Sequence, residues 1–242
     1  MEKLNDTLFI DNAEISVKLW NEFSNLNNGI YPPDSECIKT KPYKFLFERN
    51  QTSLMKRVSI NGFFRGSKAN VPADKWNRKT KKILDYPIVG ITHEQATAYC
   101  KWRTAQYNLQ YFGISNSSEY KIRFELPSVL LYKQLIIESD SLNSKCTSST
   151  FNCKGAEVNS SIPKEWSFIS PGKEIVPVFS YWYDKNNLFN VRGNVAEMTN
   201  QKGIAMGGSY LNYANECTAS NVQQYQSATG WLGFRCVGIV VR

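Results

Sequence analysis

The chain has 242 residues, of which 42% are hydrophobic and 13% aromatic, so it can form a core of its own and is too apolar for a disordered tail. Lys and Arg outnumber Asp and Glu by 29 to 21, which gives a net charge of +8. No apolar run approaches the roughly 20 residues of a membrane-spanning helix, and the N-terminal segment lacks the apolar stretch of a signal peptide. We therefore expect either a cytosolic protein or one whose targeting segment lies outside this sequence.

The N-terminal part predicts one strand and one helix. Residues 8–10 form a short apolar strand candidate, and Ser16 is a suitable N-cap for a helix whose apolar positions include Trp20 and Phe23. Residues 28–85 contain prolines and scattered aromatics without a clear period. We expect this stretch to be irregular, with short elements that the pattern does not locate.

The middle of the chain predicts two further helices. An extended apolar run at 86–91 precedes Thr92, which forms a capping box with Gln95 at the start of a helix. Ser128 is a second N-cap candidate, followed by apolar residues at helical spacing.

The C-terminal part predicts loops and strands. Residues 140–175 are polar and loop-like, and apolar or aromatic strand candidates follow at 176–183, 188–198, 204–211 and 231–241. Few helices followed by many short strands indicate the α+β class. Because no linker or repeat divides the chain, we expect a single domain over residues 1–242.

The positive charge carries little functional information. It is scattered except for Lys75, Arg78, Lys79, Lys81 and Lys82, which surround Trp76. No nucleic-acid-binding motif accompanies this cluster, so we expect no nucleic-acid partner.

The single histidine, His93, excludes several catalytic classes. A three-histidine zinc site cannot form, and a Ser-His-Asp triad would have to use His93. The sequence after His93 begins like the metalloprotease motif HExxH, but Thr97 stands where the second zinc ligand is required.

The cysteine spacing permits disulfides but does not define them. The six are Cys37, Cys100, Cys146, Cys153, Cys217 and Cys236. Cys146 and Cys153 flank one polar loop and Cys217 and Cys236 flank a longer one, so each pair is a candidate disulfide for an oxidising compartment. Six reduced thiols in a cytosolic protein remain the alternative.

Four motifs occur in a recognisable order. They are FIDNAEIS at 9–16; YPIVGIT at 86–92 with AYCKWR at 98–103; FELPS at 124–128; and LFNVRGNVAE at 188–197 with GGSY at 207–210 and GFRC at 233–236. Together they resemble the formylglycine-generating enzyme, or sulfatase-modifying factor, family from about residue 6 onward. The resemblance implies a loop-rich C-type-lectin-like α+β fold.

The family resemblance also implies a place for the active site. The family's oxidase holds copper(I) between two cysteines five positions apart, just after GGSY, and the matching positions here are Asn212 and Cys217. An amide does not replace a thiolate as a ligand for copper(I). The resemblance therefore favours a protein without copper and without the oxidase activity.

The family's calcium site maps onto the Asn190 and Glu197 side chains and the carbonyl groups of Gly193 and Val195. Carbonyl, amide and carboxylate oxygens are suitable calcium ligands. The alternative is that Asn190 and Glu197 only hydrogen-bond the turn, with Gly193 supplying a positive φ.

A finer resemblance is carried by two segments, YPPDSEC at 31–37 and the KWRT ending of the second motif. Both are similar to gliding-motility and type IX secretion lipoproteins of Bacteroidetes, which carry this domain without known catalysis. That similarity implies a structural or binding component of a cell-envelope assembly, with protein partners and an envelope or periplasmic location. Membrane attachment would require a lipid anchor outside this sequence.

Two other functions remain open from the sequence. One is an oxidase with altered thiol or copper chemistry at Cys217. The other is a retroelement-diversified ligand-binding protein, suggested by the Asn- and Tyr-rich residues 210–225.

Overall fold

Three α-helices and eight short strands form the regular structure of the residues that this computed structural model describes, which are 1–27, 84–140, 151–155, 172–181 and 183–241. In chain order they are β1 (Glu2–Lys3), β2 (Leu8–Ile10), α1 (Val17–Leu26), α2 (His93–Phe112), β3 (Ile122–Glu125), α3 (Val129–Asp140), β4 (Ala196–Met198), β5 (Ile204–Met206), β6 (Gln223–Gln224), β7 (Leu232–Gly233) and β8 (Val237–Val240). The predicted loop-rich α+β class is confirmed. Most of the predicted irregular stretch 28–85, with Cys37 and the basic cluster, lies outside the described residues.

Two four-stranded sheets organise these elements. The first has the order β1-β2-β8-β3 and is antiparallel throughout, with Gly238 opposite both Phe9 and Phe124. The second has the order β6-β5-β4-β7, and its β4–β7 pair is parallel. Strand β8 therefore joins the C-terminal end of the chain to its N-terminal strands, and β7 carries the start of the GFRC motif beside β4.

The helix starts follow the sequence prediction. The Ser16 hydroxyl accepts a backbone N–H at the start of α1, and Thr92 and Gln95 form the reciprocal capping box of α2. The Ser128 hydroxyl accepts a backbone N–H in the first turn of α3. Each cap satisfies donors that a helix N-terminus otherwise leaves unpaired, and replacing one by Ala typically costs about 1 kcal/mol.

The strand predictions were too long. The apolar run 86–91 is buried but makes only an isolated bridge to Ser16, and its Ile88 N–H donates to the Ile15 carbonyl at 2.8 Å. The candidate 176–183 contains no strand among its described residues, and 188–198 forms a strand only at its end. The reason is that Asn190 and Asn194, within the run 188–198, have φ of 49° and 58°, so the backbone turns where the apolar pattern suggested extension.

Buried side chains form one large cluster and two smaller ones. In the large cluster Trp20 stacks on Tyr99 at 5.9 Å and meets Phe234 edge-on at 6.1 Å. The second lies around Tyr132 under α3, and the third contains Phe151, Cys153 and Cys217. Among the described residues, none of the helices combines the length and apolarity that crossing a membrane requires.

Candidate functional site

The turn between residues 188 and 197 gathers buried polar side chains at the centre of the fold. Asn190, Gly193 and Asn194 all have positive φ, which folds the chain back on itself. Gly193 has φ of 73°, and a Cβ at this position would collide with the carbonyl oxygen of Asn152. Only glycine fits there, because any side chain would both strain the backbone and overlap a neighbouring one.

Glu14 is the acceptor on which this turn converges. Asn194 donates through Nδ2 to Glu14 Oε1 at 2.9 Å, and Asn190 donates through Nδ2 to Glu14 Oε2 at 3.1 Å. Asn194 Oδ1 in turn accepts the Val176 N–H at 2.9 Å and the Asn152 side-chain amide at 3.0 Å. The network therefore ties the segment before α1 to three separate loops.

A fully buried ion pair lies next to this network. Arg235, from the GFRC motif, donates through Nε and Nη2 to the two oxygens of Glu197, each at 2.6 Å, and both side chains are 0% exposed. Nη2 also donates to the Phe189 carbonyl at 2.8 Å. A bidentate guanidinium–carboxylate pair with further carbonyl acceptors is the geometry that best offsets the desolvation of two buried charges.

Two buried carboxyl groups, those of Glu14 and Glu197, interact with one cation, the Arg235 guanidinium. Burial and the neighbouring Glu197 raise the pKa of Glu14 to about 8, while Arg235 and the amide donors act in the opposite direction. Arg235 is paired with Glu197, and it keeps its charge because its own pKa lies far above neutrality. At neutral pH Glu14 is therefore the carboxyl that retains its proton.

A second ion pair fixes helix α2 to the same region. Arg103 donates to the two oxygens of Asp11 at 2.7 and 2.9 Å, and Asp11 Oδ2 also accepts the Cys236 N–H at 3.0 Å. This arrangement connects α2 to the first and last motifs, and it was not predicted from the sequence.

The predicted calcium ligands serve other partners. Both oxygens of Glu197 accept hydrogen bonds from Arg235, and the side-chain amide of Asn190 donates to Glu14 and to the Val178 carbonyl. Asn190 Oδ1 is buried without a hydrogen-bond partner, but a single amide oxygen does not make a divalent-cation site. The Glu197 and Asn190 side chains are therefore engaged by other partners in this arrangement, and calcium binding stays a prediction from the sequence.

At the other two predicted positions the contacts involve other atoms than the carbonyl oxygens proposed as ligands. The Gly193 N–H donates to the Gly207 carbonyl at 2.9 Å, and the Val195 side chain is buried in the large cluster. Among the described residues, no three or more His, Cys, Asp or Glu side chains are grouped so as to hold a metal ion.

The loop after GGSY contains Asn212 and Cys217, the two positions that the sequence resemblance predicts to correspond to the family's cysteines. Asn212 closes a tight turn: its Oδ1 accepts the Ser209 N–H and the Ser209 hydroxyl, each at 3.0 Å. Its carbonyl accepts the Lys154 N–H at 2.7 Å. Asn212 therefore acts as a structural amide at the position where the oxidase requires a thiolate.

Cys217 lies at the end of this loop and is fully buried. Arg192 donates through Nε to the Cys217 carbonyl at 2.6 Å, and a Cβ on Gly208 would collide with the Cys217 sulfur. Burial, with a smaller contribution from the neighbouring Cys153, raises the pKa of the Cys217 thiol to about 12, while Arg192 opposes the shift. At neutral pH the group is a neutral thiol, whereas copper(I) ligation and nucleophilic attack require the thiolate.

The structure pairs the cysteines differently from the sequence prediction. Cys236 faces Cys100, with 3.4 Å between their sulfur atoms, and Cys217 packs in one cluster with Cys153. The Cys217–Cys236 disulfide stays a prediction from the sequence: all four are free thiols in this structure, and Cys217 packs beside Cys153 and not beside Cys236. The reason is that the GFRC strand runs under α2, whereas Cys217 faces the segment 151–155. The predicted partner of Cys153, Cys146, lies outside the described residues.

His93 has a structural contact. Its Nε2 lies 3.0 Å from the Thr199 carbonyl, which holds the start of α2 against the loop after β4. Glu14, by contrast, was missed as a central residue. The sequence offered no clear signal for it, because Glu14 lies in a segment that also contains the polar Asp11, Asn12 and Ser16, and its burial is apparent only in the fold.

An apolar cavity lies elsewhere, between α1, α2 and the first sheet. Its volume is about 510 Å³, and its wall includes Trp102, Tyr107 and Phe124. It contains none of the site residues predicted from the sequence.

Comparison with known proteins identifies relatives of this fold. A family model described as the sulfatase-modifying factor enzyme 1-like domain matches residues 2–239. The structure of CarF is similar, with 18% identity and a TM-score of 0.53 over 97% of this chain and 87% of that one.

Two other solved structures have lower similarity. Treponema denticola variable protein 1 has 15% identity and a TM-score of 0.47 over 95% of this chain and 84% of that one. PvdO from Pseudomonas aeruginosa has 13% identity and a TM-score of 0.44 over 65% of this chain, and the match spans 63% of the PvdO chain. No curated protein sequence matches the chain. These similarities concern the fold alone.

Proposed function

The chain belongs to the sulfatase-modifying factor enzyme 1-like family, and we propose that it is a catalytically silent member that acts as a structural or binding component. The observation that carries the proposal is the role of Asn212, whose side chain and carbonyl are both used to hold a loop together. The oxidase needs a pair of thiolates at this point of the fold. Here one position is a structural amide and the other, Cys217, is a buried neutral thiol.

The same loop supplies a surface suited to a protein partner. Leu211 and Tyr213 lie two positions apart in this loop, and each is 52% exposed. The Lys154 ammonium lies 4.5 Å from the centre of the Tyr213 ring, which adds a positive charge beside the aromatic face. Aromatic side chains with adjacent charge are characteristic of binding hot spots.

We infer a cell-envelope assembly as the setting, with a secretion or gliding-motility complex of the Bacteroidetes type as the specific expectation. This inference rests on the resemblance of residues 31–37 and of the KWRT segment, and on the absence of a matched thiol pair. It predicts protein partners and an oxidising compartment.

Site-specific photo-crosslinking in the native host tests the binding role. A crosslinking amino acid at position 213 is expected to capture a discrete envelope protein. Leu130, which is 79% exposed on α3, provides the matched control position and is expected to capture none. Equal capture at both positions, or capture at neither, would contradict the proposal.

An oxidase with altered chemistry is the second candidate, and the free thiol of Cys217 is the observation that favours it. It requires Cys217 to react as a thiolate despite its burial. Turnover of a sulfatase-type CxPxR peptide separates this candidate from the silent domain.

A further inference from the structure

The four described cysteines fall into two buried groups. Cys100 and Cys236 lie together under helix α2. Cys153 and Cys217 are both 0% exposed and form a separate small cluster with Phe151. The second group is unexpected, because 63 residues of sequence lie between Cys153 and Cys217 (positions 154–216) and no local motif joins them.

The backbone on both sides of Cys153 is fixed against the site. The carbonyl of Asn152 accepts the Asn194 N–H at 2.6 Å, and the N–H of Lys154 donates to the Asn212 carbonyl at 2.7 Å. The short segment 151–155 therefore spans from the glycine-asparagine turn to the loop that leads to Cys217. Cys153 lies between these two anchoring points.

Cys217 is held from the opposite side by Arg192. The guanidinium donates to the Cys217 carbonyl at 2.6 Å and to the Ala214 carbonyl at 3.2 Å, and it lies 4.6 Å from the centre of the Phe151 ring. One side chain thus contacts both the cysteine loop and the segment that carries Cys153. Of the groups that act on the Cys217 thiol, Cys153 has the largest effect after burial itself.

We propose that Cys153 and Cys217 are joined by a disulfide bond in the mature protein, which fixes segment 151–155 to the loop after GGSY. This inference goes beyond the proposed function, because it assigns a covalent partner to the one thiol that remains at the family's two cysteine positions. A disulfide here stabilises the fold by limiting the unfolded chain and removes Cys217 from any thiolate chemistry.

The reaction is a thiol–disulfide exchange with a small-molecule or protein disulfide as oxidant. Each cysteine loses its thiol proton, the pair transfers two electrons to the oxidant, and one S–S bond forms while the oxidant's S–S bond breaks to give two thiols. Exchange proceeds through the thiolate. Because the folded environment keeps Cys217 protonated, we expect the bond to form during folding, before the loop is buried.

Peptide mapping of the wild-type chain tests the proposal without relying on a variant that must fold. The full-length chain is reduced, unfolded, refolded with oxidised and reduced glutathione, alkylated and digested without reductant. The expected result is a linked peptide pair containing Cys153 and Cys217, two hydrogens lighter than the sum of its parts. Alkylated Cys217, or Cys217 linked to any other cysteine, would overturn the proposal.

Two variants sharpen the assignment. Cys153→Ser should convert Cys217 into an alkylatable thiol, whereas Cys100→Ser should leave the Cys153–Cys217 peptide at wild-type yield. A wild-type peptide pair that links Cys217 to Cys236 would support the sequence prediction and refute the Cys153–Cys217 pairing. The disulfide and the proposed function can be refuted separately. A free Cys217 without peptide turnover would refute the disulfide alone, and turnover of the CxPxR peptide would refute the absence of catalysis alone.

Discussion

The buried Arg235–Glu197 pair provides the sharpest stability test. Arg235→Met keeps most of the side-chain volume but leaves two buried acids, Glu197 and Glu14, without their cation. Removing one partner of a fully buried pair costs about 3–5 kcal/mol, against a total stability of about 5–15 kcal/mol for a typical domain. Since about 1 kcal/mol shifts the Tm of a domain of this size by about 2–4 °C, we expect a fall of at least about 6 °C.

The assay is urea unfolding followed by tryptophan fluorescence, together with thermal unfolding. Arg123→Met is the matched control, because Arg123 pairs with Glu125 at 3.3 Å with the two side chains 57% and 40% exposed. An exposed pair of this kind contributes at most about 1 kcal/mol. If Arg235→Met changed stability no more than Arg123→Met, the claim that the pair organises the centre of the fold would be refuted.

Three further predictions concern the same region. Burial raises the pKa of Glu14 from 4.5 to about 8, so the folded state binds the proton more tightly and the free energy of unfolding should fall as the pH rises from about 5 to 8. Urea unfolding at several pH values should show a smaller pH dependence in Glu14→Gln than in wild type, and an equal pH dependence in the two proteins would contradict the burial of Glu14. Gly193→Ala should lower stability by at least about 1 kcal/mol, because it adds a side chain at positive φ against the Asn152 carbonyl, and a neutral effect in thermal unfolding would contradict that geometry. EDTA or added calcium should leave the Tm unchanged because Glu197 is already paired, whereas a calcium-dependent rise in Tm would restore the calcium site.

Local features of the fold could be predicted from the sequence. The caps at Ser16, Thr92 and Ser128 depend on residues within one turn of the helix start, so a short window contains the whole interaction. The strand lengths could not be predicted in this way. Two asparagines in left-handed conformations, Asn190 and Asn194, turn the chain within an apolar run, and both donate to Glu14, which is far away along the sequence.

Site features that depend on long-range contacts were beyond sequence reasoning. Cys236 lies beside Cys100, 136 positions away, although Cys217 is much nearer along the chain. The role of Glu14 likewise depends on amides from Asn190 and Asn194, which are more than 170 positions away. Motif order indicated the family and the position of Asn212 and Cys217, but the partners of these residues follow from the tertiary fold.

The most direct test of the central claim is an aerobic turnover measurement with copper(I) and a CxPxR peptide. The chain is incubated with both, and the cysteine-to-formylglycine conversion is followed by peptide mass, with an active oxidase of the family run in parallel and Cys217→Ser as the background. The account predicts that wild type and Cys217→Ser give the same absence of product. Oxygen- and copper-dependent product that disappears in Cys217→Ser would contradict it.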